Sequence, residues 1–267
     1  MAASILPPEG EHLTTGWEPD LPPGDSLVRR AVLVHASWVV EGARRAGKPW
    51  YDDPTWAGGF LGDRGAFTNL VMLKQPVDPI AVLAEVHEQL PAEVPYLFLS
   101  AWPTPDLRPS GLGLVGHPPL MARFPQTVTE PPTTDLELRR VDGAAMLAEA
   151  ERVLVEGYPL PELQPFRAGA LLDPALLDGP SAIWVGYDGE EPLATATAHD
   201  AAGVTLVENV AVMPAGRGRG AGAALTWAAT TYRPEQAAVL IASDAGQPVY
   251  DRLDYVRIER WTVWLRT

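Results

Sequence analysis

The sequence predicts an α/β protein in two parts, the second built on a mixed, mostly antiparallel sheet flanked by helices. Three observations predict it. The stretch 204–232, VTLVENVAVMPAGRGRGAGAALTWAATTY, passes from an apolar run through glycines and arginines into an alanine-rich segment, which reads as strand, loop and helix. Just before it, 181–187 and 192–199 read as strands joined through Asp188-Gly189, a hairpin signal. Finally, 105–123 can be laid on 248–266 without a gap, and 97–100 then fall on 240–243 in register. The first half is therefore expected to be a worn copy of the second.

In the first half, residues 1–26 are rich in Pro and Gly and read as an irregular arm. Apolar residues at helical spacing over 27–46, closed by Arg44, Arg45 and Gly47, predict a helix. A loop is expected over 50–62, strands over 66–73 and 96–101, and a helix over 79–90. The Pro- and Thr-rich 125–134 reads as a linker between a domain at 27–124 and another at 135–267. In the second half, 136–141 alternates as a strand. Asp142 is a fair N-cap for a helix at 143–156, whose Leu147, Ala150 and Leu154 share a face, with Gly157 and Pro159 closing it. Loop and short helix over 158–179 precede the hairpin. After the alanine-rich helix come a strand at 237–242, a short helix and a closing strand at 256–265.

With 267 residues the chain has ample core for one large or two ordinary domains. It has no cysteine, which excludes disulfides, a thiol nucleophile and cysteine-ligated zinc; no metal site is expected. The net charge of −14, spread over both halves, repels nucleic acid. It mildly favours a cationic small substrate, although an acidic surface that only keeps the protein soluble is the more ordinary reading. No apolar run approaches the ~20 residues of a membrane span, and the N-terminus lacks a basic segment followed by an apolar stretch. A cytoplasmic protein without a membrane partner is expected. Abundant Ala, Arg, Pro and Gly, with Lys48 and Lys74 the only lysines, suggest a GC-rich bacterial genome.

Gly218, Gly220 and Gly222 crowd the start of the alanine-rich helix, where each would cost up to roughly 1 kcal/mol against Ala. Glycine there lets a ligand approach the backbone closely. A helix N-terminus offers unpaired N–H groups and partial positive charge, which suit a phosphate. Arg217, Gly218, Arg219, Gly220, Ala221, Gly222 and Ala223 thus read as a pyrophosphate cradle. A Walker loop is excluded, because its lysine is missing. A dinucleotide fingerprint fits loosely as Gly216-x-Gly218-x-x-Ala221, with Asp244 as ribose ligand, but too little chain follows to complete a doubly wound sheet.

The spacing Arg217-x-x-Gly220-x-Gly222, after a strand ending Val-Ala-Val-x-Pro, resembles the acetyl-CoA loop of the GNAT acyltransferases. Leu240-Ile-Ala-Ser243, followed by Val249-Tyr250-x-Arg252-Leu253-x-Tyr255, resembles that family's second conserved block. The resemblance covers roughly 136–266. Asp254 stands where the family has a turn glycine, and Asp tolerates the left-handed conformation better than most residues. The resemblance implies a GNAT-type sheet, acetyl-CoA as co-substrate and transfer of its acyl group to an amine. It implies that Val210, Ala211 and Val212 offer N–H groups near the thioester and that Ser243 lines the same site. The pairing of an active half with a degenerate one resembles tandem-GNAT enzymes. In the first half Gln75-Pro-Val-Asp-Pro replaces the cradle, and Leu107 falls where Tyr250 lies.

Acyl transfer requires a base for the amine. Glu208 is the candidate, against a reading as a partly exposed strand carboxylate. His199 is the alternative base, but its place in a hairpin turn makes it a surface histidine. Tyr250 matches the family's general acid by position, against a reading as a core tyrosine. Tyr158, Glu162 and Phe166 are candidate acceptor contacts. The expected activity is N-acetylation of a small-molecule primary amine. A non-enzymatic CoA-binding module and a protein N-acetyltransferase stay open, as does a homodimer.

Overall fold

A computed structural model describes residues 26–62, 64–90, 93–125, 130–158 and 160–267. The expected arm, apart from Ser26, and part of the expected linker lie outside the described residues. The first half runs α1 (Leu27–Arg45), β1 (Trp50–Asp52), β2 (Trp56–Phe60), β3 (Asn69–Leu73), α2 (Pro79–Gln89), β4 (Tyr96–Ser100), β5 (Gly113–Gly116) and β6 (Pro119–Arg123). The second runs β7 (Glu137–Arg140), α3 (Ala144–Gly157), β8 (Ser181–Asp188), β9 (Glu191–Ala201), β10 (Val204–Val212), α4 (Ala221–Thr230), β11 (Ala237–Ile241), α5 (Gln247–Arg252), β12 (Val256–Arg260) and β13 (Thr262–Arg266).

Two mixed sheets result, in the orders β1-β2-β3-β4-β13-β5 and β12-β6-β11-β10-β9-β8-β7. In each, one parallel pair, β3 with β4 and β10 with β11, spans a helical crossover, and the other pairings are antiparallel. The last strand of each half is exchanged. β6 sits between β11 and β12, and β13 sits between β4 and β5. The two exchanged strands are the segments that the gapless repeat lays on one another. The two segments touch where they cross: the Trp261 amide donates to the Pro118 carbonyl at 3.0 Å, and Arg260 Nη1 donates to the His117 carbonyl at 2.7 Å. Trp261 is fully buried at this corner.

The exchange corrects one expectation. The closing strand at 256–265 is two strands broken at Trp261, each in a different sheet. The loop expected at 50–62 contains β1 and β2. Its Gly58-Gly59 pair hides a strand signal that depends on packing: a Cβ on Gly59 would collide with the Val39 carbonyl of α1. Gly143, not Asp142, occupies the N-cap of α3, without a side-chain cap bond.

Helix α1 starts at Ser26, whose hydroxyl accepts from the Arg29 amide at 3.1 Å. Its buried residues, among them Ala31, Val32, Val34, His35, Val39 and Val40, cover more than one face. An ordinary surface helix buries a single stripe. This one lies between the two halves and joins a core shared with Met72 and Leu99 of the first sheet and Leu206 and Val239 of the second.

His199 also belongs to this junction. It lies inside β9, fully buried. Its Nε2 meets Ser37 Oγ of α1 and its Nδ1 meets Ser181 Oγ of β8, each at 2.9 Å. Burial lowers its pKa to about 4. The surface histidine expected from the sequence is instead a neutral link between the halves, with both ring nitrogens occupied and no free one for base catalysis.

Candidate functional site

β10 and β11 pair only over Val204–Leu206 against Ala237–Val239, although both strands run further. On its other side β10 pairs with β9 through a register shift between Glu208 and Ala211, where Asn209 takes φ 55°. Asn is among the few residues that adopt this left-handed conformation readily, and a bulge of this kind re-aims the side chains beside it. Beyond the end of the pairing lies a cleft of about 740 Å³. Val210, Ala211 and Val212 line it, with Arg217, Gly218, Gly220, Ala221, Gly222, Ala223, Ser243 and Tyr250.

The glycines of this loop serve different ends. Gly218 and Gly220 have positive φ, both 76°. A Cβ on Gly220 would also strike the Thr133 carbonyl, so this glycine is fixed by the chain before β7 as well as by its turn. A Cβ on Gly222 would meet only Val212 Cγ2, at an ordinary 3.4 Å. Packing within the chain therefore does not demand glycine at 222, and the space beside the first turn of α4 is free for a ligand. The N-cap of α4 makes no side-chain hydrogen bond, which leaves its first N–H groups facing the cleft without a capping side chain.

The two arginines also part company. Arg217 lines the cleft, and its guanidinium donates to the Val212 and Gly157 carbonyls, each at 3.3 Å, tying the end of β10 to the end of α3. Arg219 turns away. It pairs with Asp135 and Asp188, both at 2.7 Å, and lines neither cavity of the site. The positive charge expected from Arg219 beside a phosphate is thus spent on two carboxylates.

A second cavity, of about 600 Å³, adjoins the cleft; Phe67, Leu154, Tyr158, Glu208, Asn209, Ile241 and Ser243 line both. The first half supplies much of its wall, including Trp38, Leu70, Met72, Leu97 and Leu99. Of the expected acceptor contacts, Tyr158 lines both cavities. Glu162 packs its side chain on Gly65 and Phe166 packs on an apolar cluster around Leu154 and Leu172; neither lines either of these two cavities.

Glu208 stands where the two cavities meet. Its side chain keeps 27 % exposure, yet protein packs closely enough round it that desolvation pushes its pKa up to about 7, opposed only by a hydrogen bond from the Asn209 amide. A carboxyl poised near neutrality suits proton transfer. Tyr250 sits on α5, its ring against Gly246, where a Cβ would come within 2.9 Å of it. Burial first, then Tyr255, Glu208 and Tyr158, raise its pKa, so it keeps its proton. Asp254 takes φ 60°, the conformation its place in the turn demanded.

Sequence reasoning missed His35 and Asn209; that the first half could wall the substrate site was legible from the repeat, but not which of its residues do so. Asn209 carried a faint signal as a polar residue inside an apolar run. His35 carried none, because its place depends on how the halves dock.

Residues 145–255 match the family model described as "Acetyltransferase (GNAT) family". No curated protein matches this chain in sequence. Among solved structures, a GCN5-related N-acetyltransferase from Kribbella flavida is similar at 21 % identity, with 89 % of this chain and 95 % of that one covered and a TM-score of 0.61. A GNAT-family protein from Novosphingobium aromaticivorans is similar at 15 % identity over 88 % and 97 % of the two chains, with a TM-score of 0.57. At such identities the likeness is one of fold, and it extends over both halves. The segment 145–255, which holds the bulged strand, the glycine loop, Glu208 and Tyr250, is a domain of the GNAT acetyltransferase family.

Proposed function

We propose that this protein is an acyl-CoA-dependent N-acyltransferase that moves the acetyl group of acetyl-CoA to the primary amine of a small molecule. The observation that carries the reading is the uncapped start of α4 at the mouth of a cleft shared by Glu208 and Tyr250. The cleft fits the co-substrate. The N–H groups of the first turn of α4 suit a pyrophosphate, each such bond contributing roughly 1.5–3 kcal/mol. The free edge of β10 at Val210–Val212 suits an extended, amide-bearing chain and offers N–H groups where negative charge collects on a thioester oxygen. Acetyl-CoA supplies an activated acyl group.

Glu208 takes the proton of the incoming ammonium, directly or through water. Tyr250, held protonated, gives its proton to the leaving thiolate. No group of the protein is acylated. Much of the rate comes from holding the two substrates in line. The enclosing wall from the first half favours a small acceptor over a polypeptide, and its hydrocarbon lining favours an amine with an apolar body. A purely CoA-binding module would have no use for a near-neutral carboxyl at the junction of two cavities.

The test is calorimetric titration with acetyl-CoA against an NADH control, followed by CoA release over a panel of primary amines, with Glu208→Gln alongside. Saturable binding of acetyl-CoA alone and release that falls roughly a hundredfold or more in Glu208→Gln support the reading. Binding of NADH alone, or release indifferent to Glu208, overturns it.

A further inference from the structure

The ring of His35 projects from α1, a helix of the first half, to the back of Glu208 in the second. Its Nδ1 lies 2.7 Å from the Ala31 carbonyl of the preceding turn, which can only accept, so Nδ1 carries the hydrogen. Its Nε2 is therefore bare. That nitrogen is buried and has no hydrogen-bond partner, and its near neighbour is Glu208 Oε1 at 3.6 Å. The ring is fixed by Trp261, centroid to centroid 4.8 Å. A buried acceptor without a donor is costly and needs a reason. Two acceptors facing one another at this distance lack one proton between them.

We propose that His35 is a positioning residue for the transfer reaction: its Nε2 accepts a hydrogen bond from the Glu208 carboxyl once Glu208 has taken the proton of the amine. The inference rests on the proposed function for the word transfer, but the shared proton can be read without turnover. The step balances. An N–H bond of the ammonium breaks, an O–H bond forms on Glu208, and that hydrogen turns towards Nε2. The proton leaves later by the exposed edge of Glu208. The histidine itself stays neutral, because burial lowers its pKa to about 4.

No other group on the surrounding elements replaces it. Thr197 of β9, opposite Glu208, also carries a buried hydroxyl without a partner, but makes no hydrogen bond to the carboxyl, whereas His35 Nε2 lies 3.6 Å from Oε1. His199 has both nitrogens engaged. Tyr250 of α5 is a phenol lining the cleft, Tyr158 after α3 and Ser243 after β11 line both cavities, and Asp244, Arg260 of β12 and His117, whose Nδ1 meets Thr262 Oγ1 at 3.3 Å, line the second cavity. Asn209 gives its amide to the carboxylate and so favours the ionised form.

Removing the Nε2 acceptor makes the protonated carboxyl less stable, so the pKa of Glu208 falls. In the pH profile of kcat/KM, the acid limb of the native protein is expected near 7. His35→Leu is expected to move it roughly one unit lower and to lower kcat, with acetyl-CoA affinity unchanged. His35→Gln, whose amide oxygen can accept, is expected to restore most of both. An unmoved limb in a folded His35→Leu overturns the inference while leaving the acyltransferase reading intact. The second measurement needs no variant and no turnover: the ¹⁵N signal of His35 Nε2 in the native protein. It should show a bare nitrogen at high pH and shift as Glu208 protonates, without the ring gaining charge. An Nε2 already protonated at pH 8, or one indifferent to pH across the range of the Glu208 titration, overturns it.

Discussion

The junction from β3 to α2 and the junction from β10 to α4 occupy matching places in the two sheets and end in opposite ways. Both follow a strand that pairs in parallel with the strand beyond the helix. At the first, Asp78 caps α2 by accepting from the Ile80 amide at 3.0 Å, and Pro79 stands at the first helical position, where no N–H is left to satisfy. At the second, α4 begins from Gly220 with no side-chain cap, and its N–H groups face a cleft. β3 pairs with β2 in continuous register, whereas β10 is bulged after Glu208. Leu107 is buried at the position that Tyr250 holds in the other half. One copy of the fold has satisfied its own backbone and become a wall. The other has left the same groups open.

Three changes would break or sharpen this contrast. The largest effect is expected from Tyr250→Phe, which removes the hydroxyl that the matching residue of the first half, Leu107, also lacks. Turnover should fall roughly 10²–10⁴-fold while calorimetric affinity for acetyl-CoA holds; undiminished turnover would remove Tyr250 as the acid. Next is Gly222→Glu, which brings a carboxylate to the first turn of α4, two positions after the N-cap that α2 fills with Asp78. The space beside residue 222 accepts the first side-chain carbon, so folding should survive. Acetyl-CoA affinity should weaken roughly a hundredfold, the loss of one to two charge-assisted hydrogen bonds; an unchanged dissociation constant would move the phosphate site elsewhere. The smallest is Asp78→Ala. Opening the cap of α2 should cost about 1 kcal/mol in denaturant unfolding and create no affinity for acetyl-CoA, because no residue of α2 lines either cavity of the site. Measurable binding at α2 would show that the cap alone separates the two halves.

Much of the second half was legible because its signals are local. A strand, a glycine-rich turn and a helix follow one another within 204–232, and each states its conformation through neighbours a few residues away. Asp254 could be assigned a left-handed turn because the family the segment resembles carries a glycine there. The repeat was legible too, since a constant offset aligns both exchanged strands. Residue types alone misled where a partner came from far away. Arg219 looked like a phosphate ligand until Asp135 and Asp188 met it. His199 looked exposed beside a turn until α1 covered it.

The sequence by itself determined the strand–loop–helix and the order of elements in the second half as far as the closing strand, which follow from periodicity, turn chemistry and spacing over a few residues. A gapless alignment pointed to the kinship of the two halves, and the family resemblance to Tyr250 as partner of the candidate Glu208. Only the tertiary structure decided that the halves exchange β6 and β13, that α1 lies between the sheets, and that the bare nitrogen of His35 faces Glu208. Those depend on contacts between residues more than a hundred positions apart, where a strand pairs with whichever edge the docked halves present and a side chain's charge and burial are set by neighbours no local pattern names.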